Sequence, residues 1–188
     1  TSEFAPALAV RAASPGTNYH VHLSLDGSDI QGSSQIFNNH IPLAPDLSGS
    51  LGITKTTPLI NVTRGQLVPY VITVTSSLSM PLQDVRIVDR FPVGFRYVEG
   101  SAQVDGVALE PTVAGRELIF SGLTANPAAE RRILLLLAVG AGVGEGEFVN
   151  RAQALHNLTG NPLSGEATAT VRVTPDPTFD CTDVTGKV

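Results

Sequence analysis

Two lysines occur in the 188-residue chain, and one of them, Lys55, falls inside an apolar segment. The other, Lys187, belongs to the last residues of the sequence, and the ten remaining cationic residues are all arginines. Lys55 shares the parity of Leu51 and Ile53, so an extended strand points these three side chains to the same side. Because burying an ammonium group is costly, an inward lysine requires a chemical explanation.

Two further polar residues repeat this anomaly. Asp89 ends an apolar segment at the parity of Val85 and Ile87, and Asn150 shares the parity of Phe148 and Ala152. Three predicted strands therefore each place one polar group on an otherwise apolar face: an amine, a carboxyl and a carboxamide.

These groups are the ones that a spontaneous isopeptide bond requires. Burial lowers the pKa of a lysine, which makes a neutral and nucleophilic amine available, and raises the pKa of an aspartate, which then stays protonated. We expect Lys55 to attack the carboxamide of Asn150 while Asp89 polarises it and shuttles protons. Ammonia leaves, and the predicted product is a Lys55–Asn150 amide.

Two structural interpretations compete with this chemistry. Lys55 and Asp89 could form a buried salt bridge in which Asn150 satisfies the remaining groups. Alternatively, Lys55 could lie at a strand end and extend its amine to solvent.

The segments around these residues have the pattern of an all-β protein. Glycine (18) and proline (13) separate short runs of Val, Ile, Thr and Leu, and no amphipathic helix is evident. Regularly spaced short strands predict an antiparallel β-sandwich. The predicted strands cover 51–56, 67–76, 82–89, 95–98, 101–104, 107–109, 117–121, 130–139, 147–156 and 165–174.

Three regions are predicted along the chain. Residues 1–49 form a small N-terminal β segment with a linker, or the end of a preceding module. Residues 50–175 form the sandwich, and residues 176–188 form a second linker and the start of the next domain. The run 133–137 does not alternate, which predicts a strand covered on both faces, with the N-terminal segment as the candidate cover.

Composition and motifs exclude several classes of function. The net charge of −5 argues against nucleic-acid binding, and no apolar run is long enough for a membrane helix. Cys181 is the single cysteine, so no internal disulfide forms. His20 and His22 share a strand face but lack further ligands, so we expect no metal and no cofactor. No nucleophile motif predicts turnover, so we expect no enzyme beyond a single self-cross-linking event.

Four sequence blocks resemble a known family. They cover 55–57, 62–74, 85–95 and 150–152, and they match its Lys-Thr, Tyr-x-Ile-x-Val, Asp-x-x-Pro-x-Gly and Asn-x-Ala elements in the same order. The family is the bacterial conserved-repeat domain known as "domain of unknown function eleven", and the resemblance spans about residues 51–174. Ser76 and Ser77 depart from it, since the family has asparagine there. Residues 181–188 resemble the first strand of a serine-aspartate-repeat B-type domain.

The resemblance implies an immunoglobulin-like β-sandwich in a large bacterial surface or secreted protein, with a structural or adhesive role. It also places Lys55, Asp89 and Asn150 on the cross-linking blocks of collagen-adhesin and pilin domains. The implied partners are neighbouring domains of the same polypeptide, with a surface ligand as a further option. A binding module for a glycan or protein ligand, or an accessory domain of an enzyme, remain the alternatives.

Overall fold

The computed structural model describes residues 47–175, which contain twelve β-strands and no helix. Ten of these strands correspond to the ten predicted ones. The two others, β2 and β8, have two and three residues and were not predicted. The strands are β1 (Leu51–Thr56), β2 (Asn61–Val62), β3 (Leu67–Ser76), β4 (Leu82–Arg90), β5 (Phe95–Tyr97), β6 (Gln103–Val104), β7 (Val107–Ala108), β8 (Thr112–Ala114), β9 (Glu117–Ala125), β10 (Arg131–Val139), β11 (Gly146–His156) and β12 (Pro162–Val173).

The strands form two sheets that pack face to face. The first sheet has the order β1-β3-β10-β6-β7, with β5 also pairing with β10, and the second has the order β2-β12-β11-β4-β9-β8. Every pairing is antiparallel except that of β2 with β12. The predicted antiparallel immunoglobulin-like β-sandwich is therefore confirmed. The predicted N-terminal β segment and the tail after residue 175 lie outside the described residues, and the three-region division stays a prediction.

The chain changes sheets between β1 and β2. β1 pairs with β3 in the first sheet, and four residues later β2 pairs in parallel with the end of β12 in the second sheet. The intervening segment is 57–60, and its Pro58 cannot donate a ladder hydrogen bond. Together β1 and β2 run in the direction of β12, so the chain enters the sandwich at one end and leaves it at the other.

The core lies between the sheets and is built by alternation. In β10 the side chains of Ile133, Leu135 and Leu137 are buried, whereas Leu134 and Leu136 on the outer face are half-buried. Although the sequence of β10 does not alternate, its burial does, as in other strands of a β-sandwich. The prediction that the N-terminal segment covers the outer half concerns residues outside the described range.

A tight turn follows the strand that carries Asp89. The chain turns at 91–94, where Gly94 has a φ of 84°, and the Gly140 N–H donates to the Gly94 carbonyl at 2.9 Å. A side chain at Gly140 would collide with that carbonyl, because an added Cβ would lie 2.4 Å from its oxygen. This close backbone approach fixes the turn after β4 against the loop between β10 and β11, and so holds the strand end that positions Asp89.

Candidate cross-link site between the two sheets

Lys55 projects from the first sheet into the core. It lies in β1 opposite Ile72 of β3, and its residue is only 5% exposed, with the side chain fully buried. Its aliphatic part is thus among the apolar side chains of the sandwich, and its amine reaches toward the second sheet. The alternative in which Lys55 extends its amine to solvent is wrong.

Asp89 and Asn150 project from the second sheet toward the same point. Asp89 in β4 lies opposite Ala152 in β11, so Asn150, two residues earlier in β11, is its diagonal neighbour on the same face. Diagonal neighbours in antiparallel strands are about 7–8 Å apart, which side chains of this size can bridge. Both residues are completely buried.

The three polar groups meet in the interior. The Lys55 Nζ donates a short hydrogen bond to Oδ2 of Asp89, whereas Oδ1 of Asp89 and both polar atoms of the Asn150 carboxamide have no hydrogen-bond partner. Residues 47–175 bury five polar or charged side chains, and three of them are in this cluster. The structure therefore brings together the three residues that the sequence analysis selected, while their chemical role remains a prediction.

Burial shifts the pKa values of the pair in opposite directions. Desolvation lowers the pKa of Lys55 and outweighs the attraction of Asp89, which acts to raise it. Desolvation also raises the pKa of Asp89, against the lowering effects of Lys55 and of the neighbouring Asn150 side chain. Both shifts favour the uncharged forms, a free amine beside a protonated acid, which are the forms that amide formation uses.

The Asn150 carboxamide lies beside the acid. Its side chain acts to lower the pKa of Asp89, although its oxygen and nitrogen make no hydrogen bond of ordinary geometry. The salt-bridge interpretation and the chemical interpretation use the same three side chains, and a measurement of mass separates them.

Tyr70 is a member of the site that the sequence analysis missed. It lies in β3, its residue is fully buried, and the Lys55 Nζ is 5.1 Å from the centroid of its ring. Burial, and secondarily the nearby Asp89, raise the pKa of the Tyr70 hydroxyl, which has no hydrogen-bond partner. The sequence contains one signal for it: Tyr70 carries a polar hydroxyl at an inward position of β3. It lies two residues before Ile72, which is the residue opposite Lys55.

Removing the lysine should make stability depend on pH through Asp89. In Lys55→Met the carboxyl stays buried without a cation, so its folded pKa remains above the unfolded value of 3.8. The contribution of the protonated Asp89 carboxyl to the free energy of unfolding is then fully present below pH 3.8 and is lost as pH rises through the folded pKa. We expect the free energy of unfolding to fall by up to about 1.4 kcal/mol per pH unit above pH 4.

The control is Lys55→Met/Asp89→Asn, which has the same shape but no titrating group. Urea unfolding of both variants between pH 4 and pH 7 measures the difference, since neither variant can form the bond. A single and a double variant with parallel pH profiles would contradict the raised pKa.

Outside this cluster, the described residues offer little further site chemistry. Residues 47–175 contain no group of three or more His, Cys, Asp or Glu side chains that could hold a metal ion. They also contain no helix long and apolar enough to cross a membrane. His20 and His22 lie outside the described residues.

Comparison with known proteins shows a shared fold and no shared sequence family. No family model matches the chain, and no curated protein matches it. The resemblance to the conserved-repeat family therefore stays a prediction. Among solved structures, AvmM, which catalyses macrocyclization in alchivemycin A biosynthesis, aligns with a TM-score of 0.51 and 10% identity over 69% of this chain and 92% of its own.

Two bacterial proteins align less closely. The hydrophobin BslA gives a TM-score of 0.45 and 16% identity over 71% of this chain and all of its own. The pilus backbone protein RRGB of Streptococcus pneumoniae gives 0.42 and 17% over 55% of this chain and 30% of its own. One fold can host many unrelated functions, so the fold by itself assigns no activity to this chain.

Proposed function

We propose that residues 50–175 are a structural module of a large bacterial surface or secreted protein, closed by a self-made amide between Lys55 and Asn150. The observation that carries the proposal is the buried cluster of Lys55, Asp89 and Asn150 between the two sheets, with a hydrogen bond from the lysine to the acid. The family resemblance supports the surface location and the stalk-like role. The same resemblance makes neighbouring domains of the same polypeptide the expected partners.

The proposed reaction balances within the site. The lone pair of the Lys55 Nζ attacks Cγ of Asn150, and the protonated Asp89 donates to the carboxamide. Asp89 then takes a proton from the attacking nitrogen, the bond from Cγ to Nδ2 breaks, and Nδ2 leaves as ammonia. One carbon–nitrogen bond replaces another, and Asp89 ends in the protonation state in which it began.

Burial argues that this chemistry acts on the protein itself. The side chains of Lys55 and Asp89 have no solvent-exposed surface, and Asn150 is equally buried. An enzyme acting on other molecules must admit them to its reactive groups, whereas these groups can reach only one another. The reaction is therefore a single event of maturation, and its product is a covalent link between β1 and β11.

A glycan- or protein-binding module is the alternative. An open groove of about 310 Å³ lies at the free edge of the sandwich, lined by Val107, Leu109, Leu123 and Arg131 among others. Its arginine is already paired with Asp105. The groove shares no residue with the cross-link site, and tryptophan, the residue most typical of sugar-binding surfaces, is absent from the sequence. We therefore keep the structural role as the proposal.

Intact mass in denaturant tests the proposal. The wild-type chain should be lighter than its sequence mass by one ammonia, and Lys55→Met, Asn150→Ala and Asp89→Asn should each have their full calculated mass. Asp89→Asn is the sharpest of these variants, because it keeps the amine, the carboxamide and the shape of the acid. A wild-type chain of full mass would contradict the cross-link.

A further inference from the structure

The ring of Tyr70 lies beside the Lys55 amine. Lys55 is opposite Ile72, so Tyr70, two residues away in β3, is its diagonal neighbour on the inward face of the first sheet. The Lys55 Nζ is 5.1 Å from the ring centroid, so the ring borders the space that is open to the amine. On its other side, Tyr70 is held opposite Leu135 of β10.

This position limits where the amine can go. A lysine side chain has four rotatable bonds, and in a loosely packed core its nitrogen would sample several directions. Here the ring closes one direction, and Asp89 accepts a hydrogen bond in another. The ring cannot move away, because Tyr70 is fully buried and its strand is paired on both sides.

We propose that Tyr70 is a positioning residue for the cross-link, and that its ring holds the Lys55 amine against Asp89 and Asn150. The proposal rests on the self-cross-linking proposed above. Its physical basis is orientation. Two groups that are held in near-attack geometry react faster than groups that are free to move, and a displacement of about 1 Å can slow the reaction by about a hundredfold. The ring is the active part, and the hydroxyl, which has no partner, is not required.

The test measures the rate of bond formation in newly made protein. Cell-free synthesis is stopped after a short pulse, samples are quenched in denaturant over time, and intact mass gives the fraction that has lost ammonia. Tyr70→Phe, which keeps the ring, should react within about twofold of wild type, whereas Tyr70→Leu should react at least about tenfold more slowly. Circular dichroism confirms that each variant folds.

Two more variants separate positioning from general damage to the core. Phe95→Leu removes a buried ring from β5, whose partner Val139 lies six residues along β10 from Ile133, the residue opposite Ile72. This variant should react within about twofold of wild type. Tyr70→Met fills the space with an unbranched chain but has no ring, so it should be as slow as Tyr70→Leu, and it replaces that variant if leucine prevents folding.

The outcomes distinguish the two proposals. A wild-type chain that never loses ammonia overturns the cross-link and, with it, the role of Tyr70. A wild-type chain that reacts while Tyr70→Met or Tyr70→Leu reacts equally fast overturns only the role of Tyr70. Slow reaction of Tyr70→Phe would assign the effect to the hydroxyl and contradict the proposal as stated. A Phe95→Leu variant as slow as Tyr70→Leu would also contradict it.

Discussion

Lys55→Met/Asp89→Asn is expected to unfold with a free energy about 4–5 kcal/mol lower than the wild type, because it cannot close the loop between residues 55 and 150. The loop spans 95 residues, from 150 − 55. A covalent closure of that size removes conformational freedom from the unfolded chain, and this is the main source of the stabilisation. The double substitution leaves no unpaired charge in the core, so the difference reports the bond rather than a buried ion.

Chemical denaturation with guanidinium measures this effect. The wild type should also show a smaller dependence of free energy on denaturant concentration, since its cross-linked unfolded state exposes less surface. Ser164→Ala is the control, because it shows how much free energy of unfolding is lost when an ordinary buried polar group is removed. The Ser164 hydroxyl accepts a hydrogen bond from the Ala154 N–H at 2.9 Å, and its removal should cost about 1 kcal/mol. A double variant that loses no more than Ser164→Ala, with an unchanged denaturant slope, would contradict a covalent link.

Under force, the cross-linked module is expected to extend far less than the variant that lacks the bond. The chain enters at β1 and leaves at the far end of β12, so a pulling force acts along the sandwich. With the bond, tension passes from Lys55 directly to β11, and the 94 residues between positions 55 and 150 carry none of it. Those residues correspond to roughly 300 Å of extended chain.

Single-molecule force spectroscopy on tandem copies measures the difference. Each Lys55→Met/Asp89→Asn module should release roughly 300 Å more than a wild-type module when it unfolds. Only the segments outside the loop, which include the hairpin of β11 and β12, can extend in the wild type. Equal extension in the two proteins would show that the two strands are not covalently joined, and the stalk-like role would lose its mechanical basis.

Period-two alternation explains why the sequence located the site. A strand sends every second side chain to the same face, so the parity of Lys55, Asp89 and Asn150 among apolar residues was enough to place all three in the core. The sequence also indicates the hairpin at Asp105-Gly106, because a type I′ turn needs positive φ at both central residues and favours Asp-Gly. The two residues have φ values of 52° and 82°.

Other features depend on which strands are neighbours, and alternation does not determine that. The pairing of β1 with β3 in the first sheet places Lys55 opposite the second sheet. The diagonal arrangement of Asp89 and Asn150 follows from the register of β4 and β11. The contact of Tyr70 with the lysine arises only once β1 and β3 are paired, so the sequence alone does not indicate it.

Peptide mapping after trypsin digestion tests the Lys55–Asn150 bond most directly. Trypsin does not cleave after an amidated lysine, so the account predicts a branched product in which residues 12–64 are joined to residues 133–151, lighter than the sum of the two peptides by one ammonia. Free peptides 12–55, 56–64 and 133–151 would contradict it. Residues 12–64 joined instead to the peptide that contains Asp89, with loss of water, would also contradict it, because the acid rather than the carboxamide would then be the group attacked.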